Sequence, residues 1–264
     1  MDLQLKGKRA LVTGSTAGIG FAIAHALAAE GAIVTLNGRT QSRVDAAIAE
    51  LTKAVPGGQV SGVAADLGTG AGCAALTAAV PEVEILINNV GIFEPKAFAE
   101  ISDADWLRFF EVNVLSGVRL SRHYIEGMRR ANWGRILFIS SESGVQIPSE
   151  MIHYGTTKTS QLAVARGLAE TTVGTGITVN SLLPGPTQSE GVATFVAQLA
   201  EARGVDFATM EREFFASARP SSLLQRFATV DEVASMAAFL SSPLASATNG
   251  AAVRVDGGVV RSIP

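Results

Sequence analysis

The feature that most restricts the fold is an alternation. Short apolar runs rich in β-branched residues recur at Leu11–Thr13, Ile33–Leu36, Val60–Ala65, Ile85–Ile87, Ile136–Ile139, Ile177–Val179 and Ala252–Val255. Most are continuously apolar, as strands covered on both faces are. Between the first two, Ile19, Ala22, Ile23, Ala26 and Leu27 repeat at helical spacing, and Gly31 stands where a glycine ends a helix. Further helices are expected over 41–54, 71–79, 103–130, 154–173 and 230–241. The pattern predicts an α/β fold: one doubly wound parallel sheet of about seven strands, helices on both faces, right-handed crossovers. No repeat or linker tract divides the 264 residues, so residues 1–264 are expected to form one domain. Residues 189–222 break the rhythm. They carry no strand signal, but hold Phe195, Phe207, Met210, Phe214 and Phe215 among Arg203, Arg212 and Arg219. A helical substrate-loop insertion beside the ligand crevice is the expectation, either packing its aromatics on the core or acting as a lid.

Composition removes several function classes. A net charge of -3 and no basic run longer than Arg129-Arg130 argue against nucleic acid or an anionic membrane as partner. The single cysteine, Cys73, makes no internal disulfide and no Cys-rich metal site, and reads as a small buried filler. His25 and His123 have no companion at metal-ligand spacing, so no metal is expected. No secretory signal or membrane span is visible, which points to a cytoplasmic protein. A G-x-S-x-G elbow is missing, which removes the serine-hydrolase reading.

After the first strand comes Thr13-Gly14-Ser15-Thr16-Ala17-Gly18-Ile19-Gly20, opening the first helix. Gly14 allows a sharp turn, Gly18 lets backbone amides approach a pyrophosphate, and Gly20 lets the helix lie close on the sheet. The helix N-terminus adds free N–H groups and the positive end of its dipole. Gly14, Ser15, Thr16, Gly18, Ile19 and Gly20 are therefore candidate dinucleotide contacts, and the sheet is of Rossmann type. The second strand ends Leu36-Asn37-Gly38-Arg39, with a guanidinium where a carboxylate would reject a ribose 2′-phosphate. Arg39 favours NADP(H), with NAD(H) the alternative. Asp66 is placed to accept a hydrogen bond from the adenine amino group, and Leu67 after it is a further candidate cofactor contact.

These motifs resemble the short-chain dehydrogenases/reductases over essentially the whole chain, in particular NADP-dependent carbonyl or 3-oxoacyl reductases. The matching residues are Thr13 to Gly20, Asp66, Asn88-Asn89-Val90-Gly91, Asn113, Ser141, Tyr154-x-x-x-Lys158, Asn180, Pro184-Gly185 and Val255-Asp256-Gly257-Gly258. Val90 replaces the family's usual alanine. After Pro184-Gly185, either Thr187 or Ser189 could meet the nicotinamide carboxamide. The resemblance implies Asn113, Ser141, Tyr154 and Lys158 as the catalytic set. Asn89, Gly91, Tyr154, Lys158, Pro184, Gly185 and Thr187 would join the cofactor contacts. It also implies a homotetramer and a small carbonyl or secondary-alcohol substrate.

Tyr154 and Lys158 are four apart, so a helix puts both on one face. An ammonium about 4 Å from a phenol, at an effective dielectric near 20, favours the phenolate by about 4 kcal/mol. That is enough to bring a tyrosine from about 10 toward 7, a usable acid–base group. By resemblance Ser141 holds the substrate oxygen and Asn113 anchors a water that serves Lys158. His153 reads as a helix-start or pocket-wall residue, and Glu142 and Ser143 as neighbours of the site. The predicted activity is hydride transfer between NADP(H) and a ketone or secondary alcohol, with 3-oxoacyl-thioester reduction as a narrower form. The alternative is a catalytically silent nucleotide-binding sensor or scaffold.

Overall fold

The computed structural model describes residues 1–189, 192 and 203–263. Its sheet has seven parallel strands in the order β3-β2-β1-β4-β5-β6-β7. They are β1 (Arg9–Val12), β2 (Ile33–Gly38), β3 (Val60–Ala64), β4 (Ile85–Asn88), β5 (Gly134–Ile139), β6 (Ile177–Pro184) and β7 (Ala252–Val255). The helices are α1 (Gly18–Ala29), α2 (Gln41–Ala54), α3 (Gly70–Ala79), α4 (Asp103–Phe110), α5 (Ser116–Ala131), α6 (Ile152–Glu170), α7 (Phe207–Ser217) and α8 (Val230–Leu240). The first strand begins two residues earlier than its apolar run, and Thr13 lies in the turn beyond it. The sixth runs five residues past Val179, because Asn180 and Ser181 are polar but buried.

Strand side chains alternate between two cores, as the pleat requires. Ala10, Val12, Ile85, Ile87, Leu137 and Ile139 face one cluster with α1 and α8. Leu11, Leu86, Ile136 and Phe138 face the other, with α3, α5 and α6. Continuous apolar runs at the centre of the sheet are the direct consequence. Gly31, at φ +82°, follows α1 as expected, its amide bonding to Ala28 O. Cys73 is buried, and burial raises its thiol pKa.

The segment expected as one helix over 103–130 departs from regularity at its centre. α4 runs into a single π-turn over Glu111–Leu115 before α5 begins. Such a turn inserts one residue into the ladder and is frequent at functional sites. In the 189–222 region, residues 190, 191 and 193–202, Phe195 among them, lie outside the described residues. Beyond them, α7 is capped by Asp206, whose carboxylate accepts from Thr209 N at 2.7 Å. Phe214 stacks on Phe227 at 5.1 Å and Phe215 meets the same ring at 5.2 Å. With Met210 they form a small core of their own rather than joining either main one.

The topology reverses between β1 and β4, since β2 and β3 lie to one side and β5 to β7 to the other. A crevice opens outside the carboxyl ends of strands at such a switch point.

Candidate active site

The turn leaving β1 lies at one side of that crevice. Gly14 and Gly18 have φ of +59° and +58°, which only glycine adopts readily. A Cβ on Gly20 would fall 2.4 Å from Gly14 O and 2.5 Å from Asn89 Nδ2. α1 has Ala17 at its N-cap position and no side-chain cap, so its first amides have no side-chain acceptor. Glycine-lined space before uncapped amides fits a pyrophosphate. Ser15 faces the other way. Its hydroxyl donates to Val12 O at 2.7 Å and its amide to Asn37 O at 2.9 Å, so it shapes the turn from inside. Asn37, which the sequence did not single out, is turned inward too. It accepts from Gly14 N at 3.3 Å and donates to Val63 O and Ala65 O at 3.1 Å, tying the turn to β3.

Arg39 is exposed just past β2, and Asp66 is exposed past β3, while Leu67 is buried in the core beneath. One Asp66 oxygen accepts from Gly68 N at 3.1 Å. Asn89 bridges the glycine turn: its Nδ2 donates to Thr13 O and Gly14 O at 3.0 Å. The Thr13 hydroxyl donates to Ile87 O and accepts from Asn89 N. Gly91 lies so near the opposite wall that its Cβ would be 3.4 Å from Lys158 Nζ.

Tyr154 and Lys158 share a face of α6, with Nζ 5.6 Å from the centre of the phenol ring. They line one cavity of about 480 Å³ together with Ser141, Asn89, Gly91, Ile19 and the Pro184–Thr187 segment. Thr187 and Ser189 both reach it. The Thr187 hydroxyl donates to Gly185 O at 2.9 Å, whereas Ser189 packs against Gly18. Asn113 occupies the π-turn. Its side chain accepts from Ile92 N at 2.8 Å and donates to Ile92 O and Thr157 Oγ1 at 3.0 Å, while Gln161 donates to its carbonyl. That side chain holds the loop after β4 against α6. His153 starts α6 but faces the core, its ring 4.0 Å from Phe109, so it is no pocket wall.

The electrostatics correct one expectation. Burial pushes the Tyr154 phenol up to about 12, with the Ser141 hydroxyl opposing and the Glu142 carboxyl adding to the rise. Sequence reasoning placed the ammonium about 4 Å away and the phenol near 7. Instead Lys158 Nζ donates to Ile139 O at 2.9 Å, and burial lowers its own pKa to about 7. A half-charged amine committed to a carbonyl stabilises phenolate far less than a fully charged one beside it. A testable consequence concerns stability. Between about pH 7 and pH 10 the unfolded chain keeps a Lys158 proton that the folded chain has released, so this group adds stability as pH rises. The gap in unfolding free energy between wild type and Lys158→Met should move toward wild type over that window in denaturant titrations. A pH-independent gap would show the ammonium is not penalised.

The profile of the family described as short chain dehydrogenase matches residues 8–200. The chain belongs to the short-chain dehydrogenases. An uncharacterized oxidoreductase of Bacillus subtilis, YvaG, is 49% identical over 263 residues, covering 100% of both chains. The D-beta-hydroxybutyrate dehydrogenase of Cupriavidus necator is 34% identical, covering 97% of this chain and 99% of that one. L-Sorbose reductase from Gluconobacter frateurii, solved with NADPH and L-sorbose, superposes with a TM-score of 0.94 at 31% identity, over 100% of both chains. This short-chain dehydrogenase is thus an oxidoreductase with its family's sheet and helices.

Two sets of contacts in the site escaped sequence reasoning. Thr157 and Gln161 on α6 grip Asn113, as described. Arg219, just past α7, donates through Nε to Glu142 Oε1 at 2.9 Å and reaches Glu150 Oε1 at 3.3 Å. Nothing in the local sequence pairs residues 77 positions apart. Among the described residues no acidic, His or Cys cluster could hold a metal, and no helix is long and apolar enough to cross a membrane.

Proposed function

We propose that this short-chain dehydrogenase reduces a ketone to a secondary alcohol with NADPH. The observation that carries the reading is the shared cavity wall of Ser141, Tyr154 and Lys158, facing the glycine turn across the switch-point crevice. When bound, the nicotinamide cofactor supplies the hydride. Gly18, Ile19 and the first amides of α1 would hold its pyrophosphate, Arg39 a 2′-phosphate, and Asp66 the adenine. Thr187 and Ser189 both line the cavity, and either could meet the carboxamide.

The chain's own residues manage the proton. With its pKa raised to about 12, Tyr154 is a neutral phenol near pH 7, so its hydroxyl is a donor to the carbonyl oxygen. Ser141 donates a second hydrogen bond to the same oxygen, where negative charge develops. Lys158, with a pKa near 7, can return a proton to the phenol. The structure with NADPH and L-sorbose lends support from a relative, as do two 3-oxoacyl-[acyl-carrier-protein] reductases, 30% and 32% identical, for the thioester form.

The test is NADPH consumption, read from its near-ultraviolet absorbance, with a panel of sugars, simple ketones and a 3-oxoacyl thioester. Turnover of any supports the reading; NADPH binding without turnover of any favours the silent sensor. A companion measurement addresses Arg39. Arg39→Ala is expected to raise KM for NADPH about tenfold or more, the loss of one charged hydrogen bond, and to leave KM for NADH nearly unchanged. An equal rise for both removes the 2′-phosphate assignment.

A further inference from the structure

Glu142 directly follows Ser141 on the loop after β5 and lines the cavity beside Tyr154, yet it is only 3% exposed. Arg219 saturates one end of its carboxyl, bonding Oε1 at 2.9 Å. The other oxygen, Oε2, is screened from solvent and has no donor among the described residues. A buried carboxyl oxygen without a donor is costly, so a donor reaching it from the cavity would be favoured there. The terminal torsion of a glutamate is broad, so a small turn presents Oε2 to the cavity while Arg219 keeps its partner. Ile92, Phe93, Met151 and Phe214 line the same cavity and bring it carbon rather than side-chain donors. This end of the cavity counts two carboxyl groups, Glu142 and Glu150, against one guanidinium. Acceptors are in excess, which suits a neutral donor better than an anion.

We propose that Glu142 Oε2 accepts a hydrogen bond from a substrate hydroxyl, making neutral hydroxyketones the substrate class. Glu142 adjoins Ser141 in one tight turn, where Ser143 N bonds Ser141 Oγ at 3.1 Å, so the hydroxyl lies on a carbon close to the carbonyl. The inference rests on the ketone-reductase reading of the same site.

A matched trio of small ketones tests it: hydroxyacetone, methoxyacetone and acetone. The methoxy oxygen accepts hydrogen bonds but donates none. Wild type is expected to favour hydroxyacetone over methoxyacetone in kcat/KM by about ten- to a hundredfold, the usual effect of a hydrogen bond to a charged acceptor. In Glu142→Gln the amide oxygen stays on Arg219, which can only donate, and the amide nitrogen becomes a donor toward the cavity. The hydroxy-to-methoxy ratio should then fall at least about tenfold. Each ratio is taken within one preparation, so it does not depend on the fraction folded. A wild-type ratio near unity, or the same ratio in both proteins, overturns the inference and leaves ketone reduction standing. If wild type with NADPH turns over none of the trio, the inference falls; if it also turns over nothing in the wider panel, the reductase reading falls with it.

Discussion

Tyr154→Phe is expected to lower kcat by about a hundred- to ten-thousandfold, the range a positioned general acid contributes. Phe keeps the ring, its edge contact with Phe93 at 6.4 Å and its place over Lys158, and removes only the hydroxyl. The glycine turn, Arg39 and Asp66 are untouched, so NADPH affinity measured by fluorescence titration should change little. A loss confined to kcat identifies a group acting on the reacting oxygen. A near-wild-type rate would assign the proton to another group and leave Tyr154 a wall residue. The comparison also tests the electrostatics, because a phenol held near 12 donates throughout the neutral range. Reduction by wild type should therefore show no loss from phenol ionisation below pH 9.

The second large effect is at Gly20. In Gly20→Ala the new methyl would meet Gly14 O at 2.4 Å and Asn89 Nδ2 at 2.5 Å, one of them backbone. Neither can yield without moving the turn, since Asn89 Nδ2 is bonded to both Thr13 O and Gly14 O. Overpacking of this kind costs about 1–3 kcal/mol, at its upper end where backbone must shift. The expected result is a lowered denaturation midpoint together with a loss of NADPH affinity of tenfold or more. Unchanged stability and affinity would mean the helix is not seated as described.

Much of this was legible in the chain. Periodicity separated strands from helices because central strands, buried on both faces, show no polar alternation. The glycine turn was legible because each glycine answers a separate steric demand. What escaped notice has physical reasons. Asn37 at the end of β2 passed unremarked, because nothing in the local sequence shows that its amide turns inward to satisfy three backbone groups. The slip at Glu111–Leu115 leaves the apolar spacing on both sides intact, so no count of side chains betrays it. The spacing of Tyr154 and Lys158 fixed their shared face and said nothing of the burial that raises the phenol, nor of Ile139 O, which holds the amine. The Glu142–Arg219 pair needs the third dimension, since α7 must fold back over the strand ends to bring it together.

The extra residue wound into the helix at Glu111–Leu115 also marks a place where the chain's length can change. A bulge of this kind takes up one residue within a single turn, so removing it would restore a regular ladder and leave α5 in phase. Ser121 would keep its contact with Asn88 Nδ2 at 3.1 Å, and Leu120 and Tyr124 their places in the core. What would go is the bulged turn itself, where Asn113 holds Ile92 and Thr157. Lineages and engineers alike should find that a single-residue deletion here spares the fold and disables the site.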